Sequence, residues 1–387
     1  MRRDRLQPAI LTVAAIVVGT VGWSGHVLLL PVAPAFPILW SRAPTRSVAA
    51  LVSAGYFLAA SRRLPEGVAA FYATDLWPGL ALWLCGSVSF VTVHALLWTK
   101  RSGFRPLCYF LGIALMVLPP FGITGWAHPV TAAGVLFPGW GWWGLLATTA
   151  GLMGLVTRMW PAVAIALTGL WLWSAANWTD AKIPDGWQGV DLELGASLGR
   201  DASIQRHRDL IATLTDRASG GIRNIVLPES ALGFWTPTVE RLWVKALQST
   251  DISVVAGAAM VDAEGYDNVL IALSAAGGRV LYRERMPVPG SMWQPWRSWF
   301  TETGGARAHF FANPFATVGD RQVAPLICYE QLVIWPVLQS MLHDPDLIVA
   351  VGNGWWTKGT SIVAMQRGSA IAWAKLFAKP LVLSFNI

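Results

Sequence analysis

The first 178 residues of this 387-residue chain contain only three acidic residues, Asp4, Glu66 and Asp75. Soluble domains carry charge on about a quarter of their residues, whereas this chain is 13% charged and 54% hydrophobic. From Thr179 onward the charges are mixed, and Gly, Pro and Asn residues mark turns. The sequence therefore predicts a membrane domain over residues 1–178 and a globular domain over residues 185–387.

The apolar segments of the first domain predict about six or seven transmembrane helices. They cover about residues 9–23, 26–40, 47–60, 77–98, 106–124, 134–156 and 160–176, and the first two form one broken span if the prolines at 31, 34 and 37 interrupt the second. With the N-terminus inside, the cytoplasmic segments hold Arg2, Arg3, Arg5, Arg42, Arg46, Lys100, Arg101, Arg105 and Arg158. Seven spans would place the globular domain in the periplasm of a bacterial inner membrane, and six would place it in the cytoplasm.

The net charge of +7 does not predict nucleic-acid binding, because the basic residues of the first domain lie at the ends of apolar runs and form no continuous face. The sequence contains no phosphate-binding loop and no dinucleotide fingerprint. The six histidines have no metal-ligand spacing, so neither a metal nor another cofactor is expected.

The globular domain alternates strand and helix patterns, which favours an α/β sheet covered on both faces. The predicted strands are 190–194, 222–228, 252–260, 268–275, 277–282, 323–329, 347–351 and 380–385, and the predicted helices are 202–219, 239–248 and 362–376.

Two of these strands end in residues that can carry chemistry. Cys328 lies in the segment Pro325–Glu330 at the end of an apolar run, and Glu229 directly follows the run Asn224–Pro228. A thiol and a carboxylate at the carboxyl ends of strands are where an α/β enzyme places a nucleophile and its base.

The motifs around these residues resemble the nitrilase, or carbon–nitrogen hydrolase, superfamily. They are Leu227-Pro228-Glu229, Tyr282 with Val288-Pro289, Ile327-Cys328-Tyr329-Glu330, Gly352-Asn353-Gly354-Trp355-Trp356, Gln366 and Lys379-Pro380-Leu381. With a membrane half in front, they look most like apolipoprotein N-acyltransferase. The wider match, which includes 285–289 and 291–296, resembles the related TraB family of conjugal-transfer proteins.

This resemblance implies an αββα sandwich, a Glu–Lys–Cys triad and a role in conjugative plasmid transfer. Cys328 matches the nucleophile and Glu229 the base, while Tyr329 and Glu330 match the residues that follow the nucleophile. Membrane lipid is the implied partner, together with a lipoprotein or other conjugation components.

The chain departs from the family at the triad lysine, which is replaced by Glu284. A carboxylate there would repel a thiolate, so Arg285, brought in by a register slip, or Lys358 is predicted to supply the positive charge. Trp355 and Trp356 form either a pocket wall or an ordinary turn. The chain also stops at Ile387, where the family continues with further strands and a last membrane span, so a truncated domain is expected.

Three functions remain open from the sequence. The first is a membrane enzyme that transfers or hydrolyses an acyl group through Cys328. The second is a catalytically inactive membrane scaffold of a conjugation apparatus, and the third is a lipoprotein acyltransferase, which Glu284 disfavours.

Overall fold

The computed structural model describes residues 2–195, 204–217, 221–300 and 304–387. The chain divides into two compact units that interleave in sequence. The first unit comprises residues 1–181, 332–335 and 359–378, and the second comprises residues 182–331, 336–358 and 379–387. The main boundary lies within the segment 179–184 that separates the two predicted domains, and residues 359–378 of the predicted second domain cluster with the first unit.

The described helices are α1 Arg2–Gly22, α2 Ala35–Ser41, α3 Arg46–Ala60, α4 Leu64–Tyr72, α5 Leu76–Leu96, α6 Arg105–Val117, α7 Ala133–Leu136, α8 Gly141–Leu155, α9 Trp160–Ala176, α10 Ile204–Arg217, α11 Pro237–Leu247, α12 Ile334–Met341 and α13 Ile362–Leu376. The strands are β1 Trp187–Gly189, β2 Asn224–Val226, β3 Ser253–Val261, β4 Tyr266–Ser274, β5 Gly277–Arg283, β6 Ala316–Val318, β7 Arg321–Ile327, β8 Leu347–Asn353 and β9 Leu381–Asn386.

Proline and capping residues set the helix boundaries of the first unit. Thr45 caps α3 by accepting a hydrogen bond from the Val48 N–H, at 3.2 Å. Prolines begin α4, α6 and α9, where a missing N–H costs nothing. The proline-rich second segment is a 3-10 turn, Val27–Val32, followed by the short helix α2. The predicted span 134–156 is wrong as a single helix, because it breaks between α7 and α8 around Pro138 and Gly139.

Among the described residues, α5 is the one helix with both the length and the apolar composition needed to cross a membrane. Shorter apolar helical segments cover Leu6–Gly22, Val27–Ser41, Arg46–Ala60, Ser102–Val117 and Trp160–Ala176. The multi-span membrane domain therefore stays a prediction.

The second unit contains two sheets. In the first sheet, ordered β1-β2-β3-β4-β5, the pairs β1/β2 and β2/β3 are parallel and the other two are antiparallel. In the second, ordered β6-β7-β8-β9, only β6/β7 is antiparallel. One apolar core lies between the sheets and joins Val255 and Leu270 to Val323 and Val349. A second core packs α10 and α11 on the outer face of the first sheet, around the buried Trp243.

Most predicted elements of this unit are confirmed within a few residues, including β3, the β4–β5 hairpin, β8, β9 and α13. The predicted strand 190–194 is wrong. The strand lies earlier, at Trp187–Gly189, because the chain after it makes only an isolated bridge at Leu192 with Asn386. The predicted strand 323–329 instead ends at Ile327, so Cys328 lies in the turn that follows.

Candidate active site

Cys328 occupies a strained position at the carboxyl end of β7. Its φ of +46° lies in the left-handed region, which residues with a Cβ rarely adopt. It opens a short 3-10 turn, Cys328–Gln331, and the side chain is 5% exposed. Such strain persists only when the surrounding structure enforces it, and it collects at functional sites. A thiol is therefore held at a sharp bend at the carboxyl end of β7, an interior strand of the second sheet.

Glu229 lies just beyond the end of β2 and is positioned by β3. The Gly257 N–H donates to the Pro228 carbonyl at 3.1 Å, and Leu227 N–H donates to the Val255 carbonyl at 2.8 Å. A Cβ on Gly257 would lie 2.5 Å from the Glu229 Cα and from the Ser230 nitrogen. Only glycine therefore allows the backbone of β3 to approach the catalytic candidate this closely.

The Glu229 carboxyl contacts the Cys328 thiol, and both side chains are buried. Burial raises the pKa of Glu229 to about 7, and the neighbouring Glu330 adds to the rise. The Asn268 amide, the Cys328 thiol and the Asn353 backbone N–H oppose it. A carboxyl with this pKa exchanges a proton readily at neutral pH, as a general base must.

Asn268 connects Glu229 to Glu284, the residue in the lysine position. Its Nδ2 donates to Glu229 Oε1 and to Glu284 Oε2, both at 2.8 Å. Glu284 is 1% exposed, and burial raises its pKa well above the ordinary value, with Glu229 and Glu330 adding to the rise. The expected repulsion of a thiolate applies to the ionised form of Glu284, whereas these surroundings favour the neutral form.

One oxygen of each carboxyl remains unpaired. Among the described residues, neither Glu229 Oε2 nor Glu284 Oε1 has a hydrogen-bond partner, although both atoms are buried. Buried polar atoms are usually hydrogen-bonded, so these two oxygens are available to a further group at the site.

Arg285 is placed in a separate network with Glu330. Its guanidinium donates to the Tyr282 hydroxyl at 2.8 Å, to Gln339 at 3.0 Å and to Ser340 at 2.9 Å. It also lies 3.9 Å from Glu330, and both side chains are fully buried. All three guanidinium nitrogens are engaged there, so the structure does not bring this cation to the thiol and Glu229.

Glu330 is held by many donors. The backbone N–H groups of Arg285, Met286 and Ile327 donate to it at 2.7, 3.2 and 2.8 Å, and the Tyr282 hydroxyl donates at 2.7 Å. Burial raises the pKa of Glu330, and Arg285 with these donors opposes the rise. Its carboxylate therefore joins the Cys328 turn to the end of β5 and positions that turn.

Four further residues that the sequence offers for the binding of a substrate, Tyr329, Trp355, Trp356 and Lys358, follow the ends of β7 and β8. Tyr329 is buried in the turn after Cys328. Trp355 and Trp356 are half-buried in a 3-10 turn after β8, where the Trp356 indole donates to the Asn353 carbonyl at 2.8 Å. Lys358 follows this turn and is exposed. The tryptophan pair thus belongs to a folded turn.

Asn268 is the site residue that the sequence analysis missed. It lies within the strand Tyr266–Ser274, whose pairing with β3 puts it opposite Ala259. The available signal was a polar pair, Asp267 and Asn268, at the start of an otherwise apolar strand. A buried amide in such a strand requires partners, and here the partners are the two carboxyls.

A family model described as carbon-nitrogen hydrolase matches residues 58–375, so the sheets and the cysteine site lie in a protein of the nitrilase class. The match starts in α3 and ends in α13, and it therefore includes much of the helical unit.

Two curated relatives show which group of proteins within this class the chain resembles. The probable conjugal transfer protein TraB of Sinorhizobium fredii is 80% identical over 386 residues, which covers 100% of both chains. The conjugal transfer protein TraB of Agrobacterium fabrum is 59% identical over 397 residues, which covers 100% of this chain and 94% of that protein. The chain belongs to the carbon-nitrogen hydrolase family and, within it, to the TraB-type conjugal transfer proteins.

Among solved structures, an amidase of the nitrilase superfamily from Nesterenkonia is 16% identical, with a TM-score of 0.31 over 44% of this chain and 67% of that chain. A superposition this loose carries no argument about the present site.

Proposed function

We propose that this protein assists conjugative plasmid transfer as a membrane-bound enzyme that transfers or hydrolyses an acyl group through Cys328. The observation that carries the proposal is the contact between a strained thiol at a strand end and a buried carboxyl whose pKa is raised to about 7. The conjugal-transfer names of the two relatives support the biological setting.

The proposed reaction begins when Glu229 takes the thiol proton. The Cys328 sulfur then attacks the carbonyl carbon of an amide or ester, and the carbonyl π electrons move to oxygen. When the tetrahedral intermediate collapses, the bond to the leaving amine or alcohol breaks and Glu229 returns the proton to it. Water or an acceptor amine then releases the acyl group from the thioester, with Glu229 again as the base.

The helical unit supports the membrane part of the proposal. Large apolar side chains are exposed along several of its helices: Ile10, Val13 and Val17 on α1, Leu84 and Val88 on α5, and Ile165, Leu172 and Trp173 on α9. Apolar surface on this scale is costly in water and is favourable in lipid. We place the chain in the bacterial inner membrane, with the globular unit in the periplasm and membrane lipid or a lipoprotein as the acyl partner.

A scaffold without catalysis is the second candidate. It is favoured by the engagement of Arg285 with Glu330 and by the exposure of Lys358, since these were the cations predicted to assist the thiol. A lipoprotein acyltransferase is the third, and it requires the same thiol chemistry.

The test measures plasmid transfer from donor cells in which the gene for this protein carries Cys328→Ala or Glu229→Gln. Cys108→Ala is the matched control, because Cys108 is a free thiol on α6 of the helical unit. Loss of transfer in both site variants, at normal abundance in the membrane, is the expected result. Wild-type transfer by both would refute catalysis and leave the scaffold. Mass analysis of donor lipoproteins then separates lipoprotein acylation from other acyl transfers.

A further inference from the structure

Glu284 stands where the resembling enzymes carry a lysine, and it reaches the reaction centre through a single shared amide. We propose that the neutral carboxyl of Glu284 donates a hydrogen bond to the oxyanion that forms during attack by Cys328, in place of the lysine. This inference rests on the proposed function, since it assigns a further catalytic residue to the same site.

The geometry of the Glu284 side chain suits a donor. Oε2 is held by Asn268 at 2.8 Å, so the orientation of the carboxyl is fixed. Oε1 is buried and has no hydrogen-bond partner among the described residues. A proton on Oε1 would therefore be available to a substrate, and a preorganised donor in a buried site costs little reorganisation when the charge develops.

The charges around Glu284 favour retention of a proton. The nearby carboxyls of Glu229 and Glu330 both raise the pKa of Glu284, and Asn268 is a neutral donor. The guanidinium of Arg285 is bonded to Tyr282 and to other groups around Glu330. Two buried carboxyls that share one amide cannot both ionise at low cost, so the pair holds a proton.

Glu229 and Glu284 have different surroundings, and this difference determines which of the two carboxyls is the acid and which is the base. Glu229 is stabilised in its ionised form by the Cys328 thiol and the Asn353 backbone N–H, in addition to Asn268. Asn268 is the one hydrogen-bond donor that stabilises ionised Glu284 among its described surroundings. The proton therefore resides on Glu284, which is the acid, while Glu229 is the base. Pairs of carboxyls with separated pKa values are a recurring arrangement for such a division.

The proposed step conserves charge without a lysine. The thiol proton moves to Glu229, the sulfur–carbon bond forms, and the new oxyanion accepts a hydrogen bond from the Glu284 hydroxyl. No proton leaves Glu284 at this stage, and collapse of the intermediate restores the carbonyl. A neutral donor gives no attraction to an anionic group, so the substrate class is an uncharged amide or ester carbonyl.

Two measurements on the purified full chain in detergent test this role. Infrared absorption at a pH well above the pKa of about 7 of Glu229 should show a neutral carboxyl component that disappears in Glu284→Gln and persists in Glu264→Gln, which changes an exposed glutamate. Acylation of Cys328 by p-nitrophenyl acetate, followed as a burst of p-nitrophenol, should fall about 100-fold or more in Glu284→Ala, the usual cost of one oxyanion donor.

Glu284→Gln keeps a donor at the same place and distinguishes catalysis from folding. It should acylate within about tenfold of wild type and lose the decline at alkaline pH that ionisation of Glu284 causes in the wild-type protein. A missing infrared band, or wild-type acylation by Glu284→Ala, would overturn the inference. An undiminished burst in Cys328→Ala would overturn the proposed function, and the inference with it.

Discussion

At the residue scale, two buried charge clusters lie side by side and have different tasks. Glu229 contacts the thiol and is joined to Glu284 by Asn268, whereas Arg285 and Glu330 join the Cys328 turn to the end of β5. The first cluster has unpaired oxygens and the second is saturated with donors. Reactivity is therefore expected from the first cluster and rigidity from the second.

Removal of the buried arginine should destabilise the protein strongly. Arg285→Met leaves Glu330 buried without its cation, which typically costs about 3–5 kcal/mol. We expect a large fall in the thermal unfolding midpoint of the full chain in detergent. Adding Glu330→Gln should recover part of the loss. The matched control is Arg283→Met, which removes a partly exposed ion pair with Asp267 and should cost no more than about 1 kcal/mol. Equal losses in the two single variants would contradict the structural role.

The raised pKa of Glu229 predicts how stability changes with pH. Its native pKa of about 7 lies above the ordinary value of 4.5, so the native state binds the proton more tightly than the unfolded chain. The resulting stabilisation is complete below about pH 4.5 and is lost as the pH rises through about 7. Wild type should therefore lose stability relative to Glu229→Gln across this interval, by an amount on the order of 3 kcal/mol. Thermal unfolding in detergent at several pH values measures it, and a difference between the two proteins that does not change with pH would contradict it.

At the element scale, strand ends were the informative part of the sequence. The polar residues that follow two apolar strands, together with the family motifs around them, predicted that Glu229 and Cys328 belong to one site, although the two strands lie in different sheets. The surroundings of Glu284 could not be predicted in this way. The β4–β5 pairing shifts register between Leu270 and Ile271, so strict alternation fails before the strand ends. Glu284 and Arg285 follow the end of β5 at Arg283, and both are buried.

The close approach of β3 to Glu229 gives a prediction about an element. Gly257→Ala places a Cβ 2.5 Å from the Glu229 Cα, and backbone must move to accept it. A displacement of about 1 Å in a catalytic group can cost about 100-fold in rate, so Cys328 acylation should fall by about that factor. Gly103→Ala is the control, because its added Cβ meets nothing within 4 Å. Wild-type acylation by Gly257→Ala would show that this strand does not position the base.

At the scale of the whole molecule, the number of membrane crossings decides which compartment receives the globular unit. Composition predicted the helical character of the first 178 residues, but it could not fix the crossings, since several apolar helices are shorter than a bilayer core. The number of crossings depends on whether the segment Val27–Ser41 crosses the membrane. It is broken into a 3-10 turn and α2, and its Leu30, Ala33, Phe36 and Trp40 are buried. A buried segment can cross the membrane inside a bundle without an apolar surface of its own.

The last predicted crossing, α9, has clearer features of a membrane span than Val27–Ser41 has. Helix α9 exposes Ile165, Leu172 and Trp173, and it is preceded by Arg158 and followed by Trp178. Its 17 residues span about 26 Å, close to the hydrocarbon thickness. If Val27–Ser41 and α9 both cross, the chain makes seven crossings and Trp178 lies outside.

Alkaline phosphatase fused after Trp178 should therefore be active, because this reporter folds only in the periplasm, and the same reporter fused after Arg158 should be inactive. The paired fusions make the measurement independent of expression level, since they differ only by α9. Activity after Arg158 with inactivity after Trp178 would invert the topology. It would place the Cys328 site in the reducing cytoplasm and remove periplasmic lipoproteins from its possible substrates.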